Sequence, residues 1–132
     1  MIGFRGSRRD EPDLVVLVVD DDPDIRRAVV QALEDDGMIG VTAASGHEAL
    51  RILSGDSTIR LLLTDIMMPG IAGTVLADRA AELRPDVQIM FMTAYAEANR
   101  AWANRPMLDK PFASDRLCAA VRAASTGASR LQ

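Results

Sequence analysis

The run Leu14–Val19 (LVVLVV) is apolar at every position and leads straight into three aspartates, Asp20-Asp21-Asp22. A short β-branched run without polar alternation predicts a strand buried on both faces. Such a strand belongs in a sheet with helices packed against each side. The acids that follow it then fall at the carboxyl end of a central strand, where open α/β sheets place their ligands. One short segment therefore constrains both the architecture and the place to look for chemistry.

The rest of the chain repeats the pattern. Asp22 can cap a helix whose first residue is Pro23. Ile25, Ala28, Val29, Ala32 and Leu33 follow at helical spacing on one face, and Gly37 stops the helix. Ile39–Ala43 predicts a weak strand. Ser45 with Glu48 forms a capping box for a helix turning Ala49, Leu50 and Leu53 inward. A third strand is expected over Arg60–Thr64, then a helix over Gly73–Arg84 with Leu76, Ala80 and Leu83 on one face, halted by Pro85. Val87–Met92 predicts a fourth strand, Glu97–Ala103 a short helix, and Met107–Asp109 a minimal fifth strand. Ser114 is placed to cap a last helix with Leu117, Ala120, Val121 and Ala124 inward. Strands alternating with helices predict an α/β fold: a doubly wound, five-stranded parallel sheet flanked by helices. The domain is expected over 14–126, between a flexible tail over 1–13 and a second over 127–132.

In that fold Asp20, Asp21, Asp65, Thr93 and Lys110 all fall at strand ends on one rim. Three carboxylates brought together resist full ionisation unless a positive charge offsets them. Oxygen donors suit a hard cation, and Mg²⁺ commonly uses one or two carboxylates plus phosphate oxygens. With an ammonium from Lys110 and a hydroxyl from Thr93, the set describes a phosphoryl-transfer site, where positioning and charge neutralisation do most of the catalysis. No Cys or His cluster competes for zinc. Blander readings stand beside these. Asp22 is better placed as a helix cap than as a ligand, Thr93 can simply end a strand, and Lys110 can be a surface lysine. His47 reads as surface, Cys118 as a packing residue, and Met90 as core filling.

The motifs VVDDD at 18–22, LLLTDIMMPGIAG at 61–73, FMTA at 91–94 and DKPF at 109–112 occur in order, each at a strand end. Together they resemble the receiver domain of two-component response regulators, over roughly residues 14–125. The resemblance implies the flavodoxin-like receiver fold and a role for each rim residue. Asp65 would be the phosphoacceptor, attacking the phosphorus of a phosphohistidine on a histidine kinase or histidine phosphotransfer protein. Asp21 would bind Mg²⁺ directly, with Asp20 assisting, often through water. Asp65 and the backbone carbonyl of Met67 would complete the metal ligands. Thr93 would hydrogen-bond the acyl phosphate and Lys110 would pair with it. The Lys110–Pro111 bond would be cis. The chain would catalyse only its own phosphorylation and slow dephosphorylation, and would signal through protein–protein contact with a downstream partner.

Two features depart from the family pattern. The Thr93–Lys110 segment is short, and Asn104-Arg105-Pro106 replaces the usual Gly-Ala, so a shortened or irregular fourth helix is expected, as in hybrid-kinase receivers. The aromatic switch position of strand five holds Met107, with Tyr95 and Trp102 as alternative aromatic contacts. Met67 and Tyr95 are also placed to shield an acyl phosphate from water, which predicts slow dephosphorylation.

Composition limits the alternatives. With 15 basic and 19 acidic residues the net charge is −4, which argues against a nucleic-acid surface. A single cysteine cannot form an internal disulfide and suits a reducing compartment. The longest apolar run has six residues, against the roughly 18–20 that span a bilayer. Residues 1–13 carry Arg5, Arg8, Arg9, Asp10, Glu11 and Asp13 and lack a secretory apolar stretch. A cytoplasmic chain without membrane insertion is expected. Only 22 residues follow Lys110, too few for an output domain, which predicts a stand-alone receiver. A Mg²⁺-dependent aspartyl phosphohydrolase would need an acid where Met67 stands. A flavodoxin-like binder of flavin phosphate would need a loop that cradles phosphate, where the acids after strand one repel it.

Overall fold

The computed structural model describes residues 13–94 and 105–126. Strand β1, Val15–Val19, is buried at all five positions, as its unbroken apolar sequence requires. It pairs in parallel with β2, Ile39–Ala43, on one side and β3, Leu61–Asp65, on the other. Strand β4, Gln88–Thr93, continues from β3, and β5, Met107–Asp109, closes the far edge. The order is β2-β1-β3-β4-β5. The chain thus steps outward from β1 to β2, then crosses back to β3. The crevice at that reversal, between the ends of β1 and β3, is where such sheets bind ligands.

Alternating side chains along each strand feed two cores. On one face Leu17, Val19, Leu62, Ile89 and Phe91 pack with helices α2, Gly46–Gly55, and α3, Gly73–Leu83. On the other Val16, Val18, Leu61, Leu63, Met90 and Met92 pack with α1, Pro23–Asp35, and α4, Ser114–Ser125. Each fully buried Leu or Val contributes about 1.5–3 kcal/mol, so these two layers dominate stability over any surface ion pair. Cys118 belongs to the second core, with its thiol donating to the Ala32 carbonyl at 3.3 Å. Edge strand β2 has only Ala43 fully buried, in keeping with its weak apolar pattern.

Local signals explain most of the helix ends. Asp22 accepts the Asp24 amide at 2.9 Å and Pro23 opens α1. Gly37, at φ 86°, turns the chain just beyond α1, a conformation glycine adopts without strain. Ser45 accepts the Glu48 amide, but the Glu48 carboxylate reaches back to the Ala44 amide, one residue earlier than in a regular capping box. Other expectations are corrected. The N-cap of α4 is Ala113, and Ser114 is already helical and makes no side-chain cap bond. Ala28 and Leu83 are exposed rather than inward, because the stripes that reach the sheet on α1 and α3 are narrower than their apolar spacing.

His47 is exposed, as expected. The expected helix over Glu97–Ala103, with Tyr95 and Trp102, lies outside the described residues, as do both expected tails apart from exposed Asp13. No helix among the described residues is long and apolar enough to cross a membrane.

Candidate functional site

Four strand ends converge at the crevice. Asp20 follows β1, Asp65 ends β3, Thr93 ends β4, and Lys110 follows β5. The register carries them together: Asp65 lies beside Met92, and Thr93 beside Asp109, whose neighbour Lys110 donates its amide to the Thr93 carbonyl at 2.9 Å. Thr93, Asp20 and Asp65 are buried, and Asp21 is exposed.

Lys110 joins the two inner acids. Its Nζ lies 2.8 Å from Asp20 Oδ2 and 3.2 Å from Asp65 Oδ2. The second oxygen of each carboxylate takes a backbone amide: Asp22 donates to Asp20 Oδ1 at 2.9 Å, and Met67 to Asp65 Oδ1 at 3.3 Å. The Lys110–Pro111 bond is cis, in line with the expectation.

The charges at the rim are unevenly matched. Burial lowers the Lys110 ammonium pKa, but hydrogen bonding to Asp20 and the nearby Asp65 charge outweigh it and the net shift is upward. For Asp65 burial is the largest influence and raises its pKa, which the partly shared Lys110 charge does not undo. One ammonium divided between two carboxylates, with the shorter bond going to Asp20, leaves Asp65 short of compensation. The rim therefore has electrostatic room for another positive charge.

Asp20, Asp21 and Asp65 each offer an oxygen, and these atoms lie within 4.8 Å of one another. The donors are all oxygens and one acid faces solvent. This set fits a hard divalent cation that keeps part of its water shell. Among the residues expected at the site, the structure brings Asp20, Asp21, Asp65 and Lys110 into one cluster, with Thr93 beside them at the end of β4. Met67 stands next to the cluster as an exposed apolar flank, with 59% of its surface accessible. Asp22 is the α1 cap, as the sequence indicates.

The backbone around Asp65 is tightly supported. The buried Thr64 hydroxyl donates to the Asp65 carbonyl at 2.9 Å. Helix α3 begins against the same carbonyl without a side-chain cap, and the Gly73 amide bonds the Ile66 carbonyl at 2.8 Å. A Cβ on Gly73 would lie 2.0 Å from the Asp65 carbonyl oxygen, so only glycine allows this approach. Sequence reasoning missed Arg26, whose Nη1 donates to the Asp20 carbonyl at 2.6 Å. The available signal was an arginine one turn into the helix that the acids cap.

The fold and the rim geometry define a doubly wound, flavodoxin-like α/β domain with an acidic crevice bridged by a lysine. The chain belongs to the response regulator receiver domain family, whose model matches residues 16–122. Receiver domains are signalling modules of two-component systems. The response regulator receiver protein CpdR of Brucella abortus is 39% identical over 102 residues, covering 74% of this chain and 84% of CpdR. The sensor kinase CckA of the same organism is 32% identical over 114 residues, 81% of this chain but only 12% of the kinase. The crystal structure of the response regulator TrrA from Thermotoga maritima in complex with Mg²⁺-BeF superposes with a TM-score of 0.73 at 34% identity, covering 83% of this chain and 96% of TrrA.

Proposed function

We propose that this receiver accepts a phosphoryl group on Asp65 from the phosphohistidine of a histidine kinase or a histidine phosphotransfer protein, and signals through protein–protein contact. The observation that carries the reading is the placement of Lys110 between Asp20 and Asp65, with Asp21 alongside. An Asp65 oxygen attacks phosphorus, an O–P bond forms, and the N–P bond of the donor breaks with its electron pair returning to the imidazole. Asp65 suits the role because it ends a strand at the crevice and its backbone is held by Thr64 and the start of α3.

Lys110 supplies fixed positive charge next to the Asp65 oxygen and would pair with the new phosphoryl group. Thr93, at the end of the adjacent strand, would donate its hydroxyl to the acyl phosphate. Asp20, Asp21, Asp65 and the Met67 carbonyl would hold Mg²⁺, which when bound neutralises charge on the phosphoryl oxygens. The TrrA complex with Mg²⁺-BeF supports this choice of metal. Met67, exposed beside Asp65, would screen the acyl phosphate from water, so self-dephosphorylation is slow.

The test is labelling of the full chain by acetyl phosphate with and without Mg²⁺. Labelling that requires Mg²⁺ and is lost in Asp65→Asn is the expected result. Labelling that persists in Asp65→Asn would sink the assignment. Met67→Asn should speed decay of the phosphorylated protein, and an unchanged decay rate removes the shielding role.

A further inference from the structure

We infer that Arg26 is a positioning residue for the cation site: its guanidinium fixes the Asp20–Asp21 peptide and so sets where Asp21 presents its carboxylate. The inference rests on the reading of Asp20, Asp21 and Asp65 as the Mg²⁺ ligands.

Arg26 lies in the first turns of α1 and is partly buried. It grips the acidic loop at two points. Its own amide donates to the Asp22 carbonyl at 3.1 Å, and its Nη1 donates to the Asp20 carbonyl at 2.6 Å. The Asp20 side chain is already held by Lys110 and by the Asp22 amide. Asp20 is therefore fixed at its carboxylate and at its carbonyl. That carbonyl and the Asp21 amide share one planar peptide unit, so fixing the carbonyl orients the backbone from which the Asp21 side chain departs. Asp21 is exposed, on the solvent side of the cluster. The helix cap at Asp22 and the arginine behind it are what keep an exposed ligand in a repeatable place. Groups that orient metal ligands in this way are commonly worth 10–100-fold in metal affinity.

Charge supplies a discriminating sign. Arg26 is a cation close to the acids, and Coulomb repulsion alone says that removing it should tighten binding of a divalent cation. Positioning says that removing it should weaken binding. The two accounts cannot both describe the same variant.

The experiment is a calorimetric Mg²⁺ titration of the full chain as wild type, Arg26→Met and Arg26→Lys. Methionine keeps an apolar stem but loses the charge and the donors. Lysine keeps the charge and a single-point donor. The Kd for Mg²⁺ should rise about tenfold in Arg26→Met. Arg26→Lys should recover part of that loss, and if Arg26→Met does not fold, a raised Kd in Arg26→Lys carries the test alone. The Mg²⁺ concentration giving half-maximal labelling by acetyl phosphate should shift in parallel, with the loss recovered by added Mg²⁺. A merely structural role would instead lower the melting temperature in EDTA and leave the Mg²⁺ dependence in place. Mg²⁺ binding as tight as wild type, or tighter, in Arg26→Met overturns the inference, as does an unchanged Kd in Arg26→Lys when it is the only folded variant. A wild type that binds no Mg²⁺ overturns both the inference and the metal reading beneath it.

Discussion

Two cations organise opposite ends of the sheet, and they are used differently. At the carboxyl ends of the strands, Lys110 bridges Asp20 and Asp65, with Asp21 close by. At the amino ends, Arg84 donates to the carbonyls of Leu53, Asp56, Ser57 and Ile59 and pairs with Asp86. Arg84 thus ties the end of α3 to the loop that leads into β3. A planar guanidinium with five donors can serve many carbonyls, while an ammonium acts more nearly as a point charge. At the Arg84 end every guanidinium nitrogen has an acceptor. The Lys110 end has more carboxylate than ammonium.

The aspartates report the same contrast. The hydrogen bond from Arg84 draws Asp86 down to a pKa of about 2, while burial pushes Asp65 above its ordinary value. One end is a staple at electrostatic rest. The other keeps negative charge that its single ammonium does not fully offset.

The largest expected effect tests the strained end. Lys110→Met leaves two largely buried carboxylates without their cation and should cost about 3 kcal/mol in EDTA at neutral pH. The loss, read from urea unfolding, should shrink as acid protonates Asp65. Equal losses at pH 7 and pH 4 would show that the two ends do not differ as described. Arg84→Ala comes next. It strands partly buried carbonyls and should cost about 2 kcal/mol, while labelling of Asp65 by acetyl phosphate continues. Loss of labelling in a folded Arg84→Ala protein would break the separation of the two ends.

Asp65→Asn should act in the opposite direction and raise stability in EDTA at neutral pH. A carboxyl whose folded-state pKa is raised is destabilising when ionised, so the gain is present above its raised pKa. It fades as the pH falls into the ordinary carboxylate range, where the wild type is protonated as well. A thermal melt series over pH reads this out, and a destabilised variant would reverse the argument. The smallest effect is expected for Asp86→Asn. Its pKa is depressed, so its contribution is present above the ordinary value near 3.8 and is lost as the pH falls toward about 2. Because Asp86 is exposed, added salt should erase most of the difference from wild type.

Legibility followed the range of the interactions. Asp22 as the cap of α1 was readable because a cap is decided within three residues. The same local logic misplaced Ser114: the cap of the last helix falls one residue earlier, at Ala113, which has no side chain to accept a capping hydrogen bond. Ala28 and Leu83 fit their apolar stripes but ended in solvent, because helical spacing marks a face without saying how wide the contact with the sheet will be. Arg26 and Arg84 were not visible as organising residues. A guanidinium on a long stem finds carbonyls up to 31 residues away, and no local pattern marks that choice.

The sequence by itself determined the alternation of strands and helices, the acids and the lysine at strand ends, and the family to which they belong. Apolar runs, caps and motifs are short-range properties, and they survive any arrangement of the elements. Only the tertiary structure decided that β1 and β3 are neighbours, that Lys110 reaches both Asp20 and Asp65, and that Arg26 holds the peptide between the first two acids. Those facts depend on strand order and register, which join residues as much as 90 positions apart. Three carboxylates and one ammonium in a chain are composition; within a few ångströms of each other they are a site short of positive charge.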